Sequence, residues 1–129
     1  MREAIPTRTE AAATAIVDAA FKVHSVLGPG LLESVYEVCL CHELDKAGIA
    51  FKRQVLLPVK YDDVTLDAGL RLDLLVDECV IAELKAVERM NPVFEAQLLT
   101  YLKLTGLRLG LLINFNVPLI RDGIKRMAL

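Results

Sequence analysis

Two apolar runs of this chain carry charge where a buried strand would carry none. Asp73 interrupts Leu72, Leu74, Leu75 and Val76, and Glu83 and Lys85 interrupt Val80, Ile81, Ala82 and Leu84. Removing an unpaired charge from water is strongly unfavourable, so such residues need a partner or a use. An acid, a spacer and then Glu-x-Lys is the arrangement that metal-dependent phosphodiester hydrolysis requires. Two carboxylates hold a divalent cation, and the lysine faces the attacking water and the phosphate. Glu83 and Lys85 are two apart on a strand, so both side chains leave one face, ~6.8 Å apart along the chain. The plainer reading of that pair is a solvated face with a weak ion pair, worth ~0–1 kcal/mol.

Register decides whether the acids can meet. Directly opposed residues of an antiparallel pair share a face. A two-residue turn at Asp77-Glu78 would set Asp73 opposite Ala82, away from Glu83. A three-residue loop, Asp77-Glu78-Cys79, would set Val76 opposite Val80, Asp73 opposite Glu83 and Lys85 opposite Arg71. The chemistry therefore predicts an odd-length loop or a bulge in this hairpin. Arg71 then has two roles open to it: pairing with Asp73 or Glu83, or contacting phosphate.

The elements that must hold this hairpin follow from periodicity. Residues 9–26 show helical spacing at Ala11, Ile16, Ala19, Ala20 and Val23, with Thr9 as N-cap. Gly28-Pro29-Gly30 breaks that helix. A second helix is predicted from Leu31 to Ala47, before Gly48. From Phe51 the period changes: strands are expected over Gln54–Tyr61, Val64–Ala68, Leu70–Val76 and Val80–Ala86. Pro92 opens a third helix over Pro92–Thr105, closed by Gly106. Leu107–Phe115 reads as an apolar strand, Asn116-Val117-Pro118 as a turn and Leu119–Met127 as a last strand. The order is α-α-β-β-β-β-α-β-β in a single domain spanning residues 1–129, an α/β fold.

Composition narrows the rest. Hydrophobic residues make up 54% of 129, enough for a full core. The three cysteines, Cys39, Cys41 and Cys79, are odd in number and form no Cys-x-x-Cys, so neither a disulfide framework nor a zinc ribbon is expected and a reducing cytoplasm fits. Arg8 and Glu10 stand where a signal peptide would be apolar, as do Arg2 and Glu3, and no run approaches the length of a membrane span. A net charge of −2 argues against coating nucleic acid by bulk charge. A basic footprint would be local: Lys52 and Arg53, Lys103 with Arg108, or Arg121, Lys125 and Arg126. His24 could serve as base or ligand, or as a structural group bonding the Gly-Pro-Gly loop or capping helix carbonyls. His42 has no zinc pattern around it.

Several motifs resemble a known family. Gly30-Leu31-Leu32-Glu33-Ser34-Val35-Tyr36 fits the signature that names the GxxExxY proteins, and the lead-in Val23–Gly30 resembles theirs. Asp73 with Glu83-Leu84-Lys85 resembles the core of the PD-(D/E)XK nuclease superfamily, to which those proteins are assigned. Gln97-Leu98-Leu99-Thr100-Tyr101 resembles the Gln-x-x-x-Tyr segment of the following helix, and Gly110–Phe115 the strand after it. Leu72, not proline, precedes Asp73, at a variable position of that pattern.

The resemblance implies a restriction-endonuclease-like core, a mixed β-sheet flanked by helices, and a site for Mg2+ or Mn2+. It implies Asp73, Glu83, Lys85 and Gln97 as catalytic residues. It implies Glu33, Asp73, Glu83 and the Leu84 backbone carbonyl as metal ligands. Glu33 also has a simple role open to it, as a first-turn acid worth ~0.3–1 kcal/mol on the helix dipole. Tyr36 and Tyr101 could support the site or simply pack. Nucleic acid is the implied partner, DNA ahead of RNA. A chain this small gains specificity through a homodimer or another partner, and the Leu-rich stretch Leu102–Leu112 offers either a dimer seam or core. The rival reading is a catalytically silent domain of the same fold that binds nucleic acid or protein; a structural homo-oligomer is a weaker third.

Overall fold

A computed structural model describes residues 3–129; Met1 and Arg2 lie outside it. Helix α1, Thr7–Leu27, buries Ala12, Ala13, Ile16, Ala19, Ala20 and Val23 along one stripe. It starts two residues before Thr9, with Pro6 at the N-cap, so Thr9 is buried inside the helix and does not cap it. Proline's fixed φ suits that boundary. Helix α2, Glu33–Lys46, begins after Leu32, which is extended.

Five strands follow: β1 Phe51–Tyr61, β2 Val64–Val76, β3 Val80–Lys85, β4 Leu109–Asn114 and β5 Ile124–Ala128. They form one sheet in chain order, β1-β2-β3-β4-β5. Helix α3, Pro92–Thr105, crosses from β3 to β4 and makes that pair parallel, whereas the other neighbours are antiparallel. The Asn91 side chain accepts from Val93 N–H at the start of α3, and Gly106 ends it in the left-handed conformation that only glycine adopts freely.

The expected succession of elements holds, with two adjustments. The strands expected over residues 64–68 and 70–76 run on as β2. The gap expected between them is a bulge, because the register passes from Leu57↔Leu70 to Val59↔Leu66. Pro58 has no N–H for the ladder there, and Gly69 lies so close to the Val59 side chain that a Cβ would collide with it. Near the C-terminus, Ile120–Gly123 forms a 3-10 turn before β5, since Ile120 turns into the core and Asp122 N–H donates to Leu119 O.

Helices cover both faces of the sheet. On one side Ile16, Ala20, Tyr36, Leu40 and Leu44 of α1 and α2 meet Leu74, Val76, Val80, Ala82, Leu84, Leu111 and Ile113. On the other, Leu98 and Leu102 of α3 meet Leu70, Leu72, Ile81 and Leu112. β3 and β4 are sandwiched between the layers, which explains why Val80–Leu84 and Leu109–Asn114 are buried along their length and apolar apart from Glu83 and Asn114.

Candidate active site

The charged residues lie where the sheet forks. β2 and β3 pair only through Val76↔Val80, Leu75↔Ile81 and Leu74↔Ala82. Beyond that point β2 stays with β1 and β3 with β4. The loop is the three-residue one that the chemistry requires. Asp77 and Glu78 are left-handed, with φ of 51° and 59°, and Cys79 N–H donates to Val76 O at 3.1 Å. Arg8 braces the loop through the Asp77 carboxylate at 2.9 and 3.0 Å and the Asp77 carbonyl at 3.0 Å.

This register brings Asp73 and Glu83 side by side. Asp73 N–H donates to Glu83 Oε2 at 2.7 Å, and Leu84 N–H donates to Asp73 Oδ2 at 2.9 Å. Each carboxylate thus satisfies a backbone donor of the other strand that the parted ladder leaves open. Glu83 is only 5% exposed. Burial first, and the neighbouring Asp73 second, push its carboxyl up to about 8. Burial likewise raises the Asp73 carboxyl, against the Leu84 N–H and Lys85, which pull it down. Glu33 arrives from the first turn of α2. It is open to solvent as a residue, yet partial burial of its carboxyl, and then Asp73, hold it above the ordinary glutamate value.

The other expected residues divide. Lys85 leaves the Glu83 face of β3, and its ammonium sits 4.3 Å from the centre of the Phe94 ring on α3. It makes no ion pair with Asp73 or Glu83 among the described residues. Tyr101 is half-buried, and burial followed by the charges of Glu83 and Asp73 raises its phenol. Gln97 is exposed on α3. Arg71 is exposed on β2, and its charge opposes the upward shifts of Glu33, Asp73 and Tyr101. Leu84 stands at the fork with its side chain in the core.

Tyr36 goes elsewhere. Its hydroxyl donates to Gly28 O at 2.7 Å and accepts from Leu31 N–H at 3.1 Å, and its ring stacks on Phe115 with centroids 4.6 Å apart. It ties down the loop before α2. His24 holds neither that loop nor a helix end: its Nε2 lies 2.8 Å from Val117 O, in the turn before β5. His42 is exposed on α2.

Three residues near the fork escape a reading of the sequence alone. Glu37, only 8% exposed, gives Oε2 to Arg53 (Nε 3.1 Å, Nη2 2.8 Å) and Oε1 to Gln54 Nε2 at 2.6 Å, and its charge raises Asp73 and Glu33. It lies one turn after Glu33 on the same helix face, which is the signal that could have found it. Gln54 carries a φ of 49° inside a strand. Phe94 receives Lys85, and its spacing to Gln97 and Tyr101 is helical.

The donor set at the fork fits a hard divalent cation. Glu33, Asp73 and Glu83 offer only carboxylate oxygens, the ligands that Mg2+ and Mn2+ take. Burial raises all three carboxyls, and the charge of Asp73 adds to the rise in Glu33 and Glu83, against Lys85, which pulls each down. As they stand, no three His, Cys, Asp or Glu side chains among the described residues are close enough together to hold a metal ion. Loading would redirect the oxygens now bonded to Asp73 and Leu84 N–H.

A forked mixed sheet between helical layers, with an acid on one strand and Glu-x-Lys on the next, defines the restriction-endonuclease-like class. The family model of the PD-(D/E)XK nuclease superfamily matches residues 10–127. The chain belongs to that superfamily. Neither the curated proteins nor the solved structures yield a match.

Proposed function

We propose that this protein is a divalent-metal-dependent nuclease that hydrolyses phosphodiester bonds in nucleic acid. The observation that carries the reading is the meeting of Asp73 and Glu83 at the fork, with Lys85 leaving the same strand face as Glu83. Asp73, Glu83, the Leu84 carbonyl and Glu33 would hold Mg2+ or Mn2+. The ion would supply Lewis acidity toward the phosphate and toward water. Lys85 would stabilise charge on the phosphate once drawn off Phe94. Gln97 and Tyr101 would line the α3 side of the substrate, and Arg71 would contact a neighbouring phosphate. The Gly30–Tyr36 motif supports placing the chain with the GxxExxY proteins, and the unpaired cysteines support a cytoplasmic setting. DNA is put ahead of RNA as substrate. A homodimer would enlarge a contact surface that 129 residues leave small.

The test is cleavage of labelled single- and double-stranded DNA and RNA with Mg2+, Mn2+ or EDTA, beside Glu83→Ala and Lys85→Ala. Cutting that needs metal and falls at least about a hundredfold in both variants is expected. Cutting indifferent to both substitutions, or none on any of the four substrates, overturns the assignment. The second outcome leaves a binding domain of the same fold.

A further inference from the structure

Gln54 stands directly across from Asp73, because Arg53 pairs with Leu74 and Val55 with Leu72 on either side of it. Its φ of 49° is left-handed, where an ordinary strand residue lies near −120° to −140° and a long side chain is disfavoured. Such a residue persists only where its surroundings over-determine it. Here they do: the Gln54 amide is held by Glu37 Oε1 at 2.6 Å, and Glu37 is itself fixed by Arg53 on its other oxygen.

The partner strand responds at the same point. Leu74 and Val76 pack in the core beneath α1 and α2, whereas Leu70 and Leu72 pack in the core beneath α3. Residues two apart on a regular strand share a face. β2 therefore rolls about its own axis between Leu72 and Leu74, at Asp73. That is also where its pairing with β3 ends and the Asp73 carboxylate reaches Leu84 N–H.

We infer that Gln54, latched by Glu37, is a positioning residue: its left-handed backbone in β1 sets the roll of β2 that delivers Asp73 to the fork. The inference rests on the metal-site reading of that fork for its consequence, though not for its geometry. Neither Gln54 nor Glu37 need touch substrate or cation.

The test separates backbone from side chain. Gln54→Gly keeps the left-handed conformation without the amide, while Gln54→Val resists that conformation. Two readouts are taken on the full chain: the amide proton shift of Leu84 by NMR, which reports its bond to Asp73, and Mn2+ affinity by electron paramagnetic resonance. In Gln54→Gly the Leu84 shift stays and affinity changes by less than about threefold, whereas in Gln54→Val the shift collapses and affinity falls about 10–100-fold, the range for residues that orient metal ligands. Should the valine variant not fold, Gln54→Ala applies a milder form of the same strain. A Leu84 shift that survives Gln54→Val, or one lost equally in Gln54→Gly, overturns the inference. Wild-type protein that binds no Mn2+ overturns the metal reading alone, and the Leu84 shifts still judge Gln54.

Discussion

A glutamate that titrates near 8 inside a sheet makes the metal-free protein sensitive to pH. Glu83 binds its proton more tightly folded, at about 8, than at the ordinary 4.5. Its contribution to stability is therefore complete below about 4.5 and is lost as pH rises toward 8, with Asp73 and Glu33 shifted in the same direction. Denaturant melts of the metal-free protein should show stability falling between pH 5 and 8, by an amount on the order of a few kcal/mol for a deeply buried carboxyl. Glu83→Gln should flatten that profile and be the more stable form at pH 8. On the proposed metal-site reading, Mg2+ or Mn2+ would compete with the same protons, so its thermal stabilisation should be larger at pH 8 than at pH 6. A second prediction concerns Lys85. Phe94→Leu removes the ring face and should erase the upfield ring-current shift of the Lys85 side-chain protons, while Phe94→Tyr should keep it. NMR of the two variants decides. Asp73, Glu83 and Lys85 were legible in the sequence because a charge stands out in an apolar run. Glu37, Gln54 and Phe94 were not. A glutamate on a helix is commonplace, a positive φ leaves no mark on a glutamine, and a phenylalanine at helical spacing reads as core.

At the scale of elements, the hairpin register was legible only through the chemistry, since the residues alone allowed a two- or a three-residue loop. Strand parity allows only an odd loop to bring Asp73 beside Glu83, and the loop is odd. The bulge in β2 was half legible: the expected strands 64–68 and 70–76 left a gap at residue 69, and only pairing with β1 shows that the strand continues through it. The merger of two short strands follows from pairing with β1, which no local signal carries. The loop itself yields a prediction. Glu78 sits at φ 59°, which disfavours any residue but glycine, asparagine or aspartate. Its exposed pairing with Lys52 at 2.8 Å adds little. Glu78→Gly relieves about 1–2 kcal/mol of left-handed strain against about 0.4–1 kcal/mol of added unfolded-chain freedom, so it should raise Tm modestly by calorimetry, with the Asp73–Glu83 contacts intact.

Across the whole molecule most of the candidate basic footprint is spent internally. Lys52, Arg53, Lys125 and Arg126, candidates for a basic footprint, pair with Glu78, Glu37, Glu95 and Glu10. Arg108 is turned to the carbonyls of Leu129 and Glu3. Among the described residues Arg71 has no ion pair within 4.0 Å and lies beside the fork. Nucleic-acid affinity should thus depend shallowly on salt. Arg71→Ala should lower the slope of log K against log salt by about one, measured by fluorescence anisotropy in the presence of EDTA. No helix among the described residues is long and apolar enough to cross a membrane. Strand order across the sheet repeats chain order, and this bears on how the molecule is made. Asp73 and Glu83 meet across a short hairpin, whereas β4 must wait for α3 to cross over and Glu33 is recruited from far back in the chain. Local pairs close early because their loops are short. The two acids therefore belong to one of the shortest-range contacts of the sheet, and assembly should bring them together before Glu33 joins them.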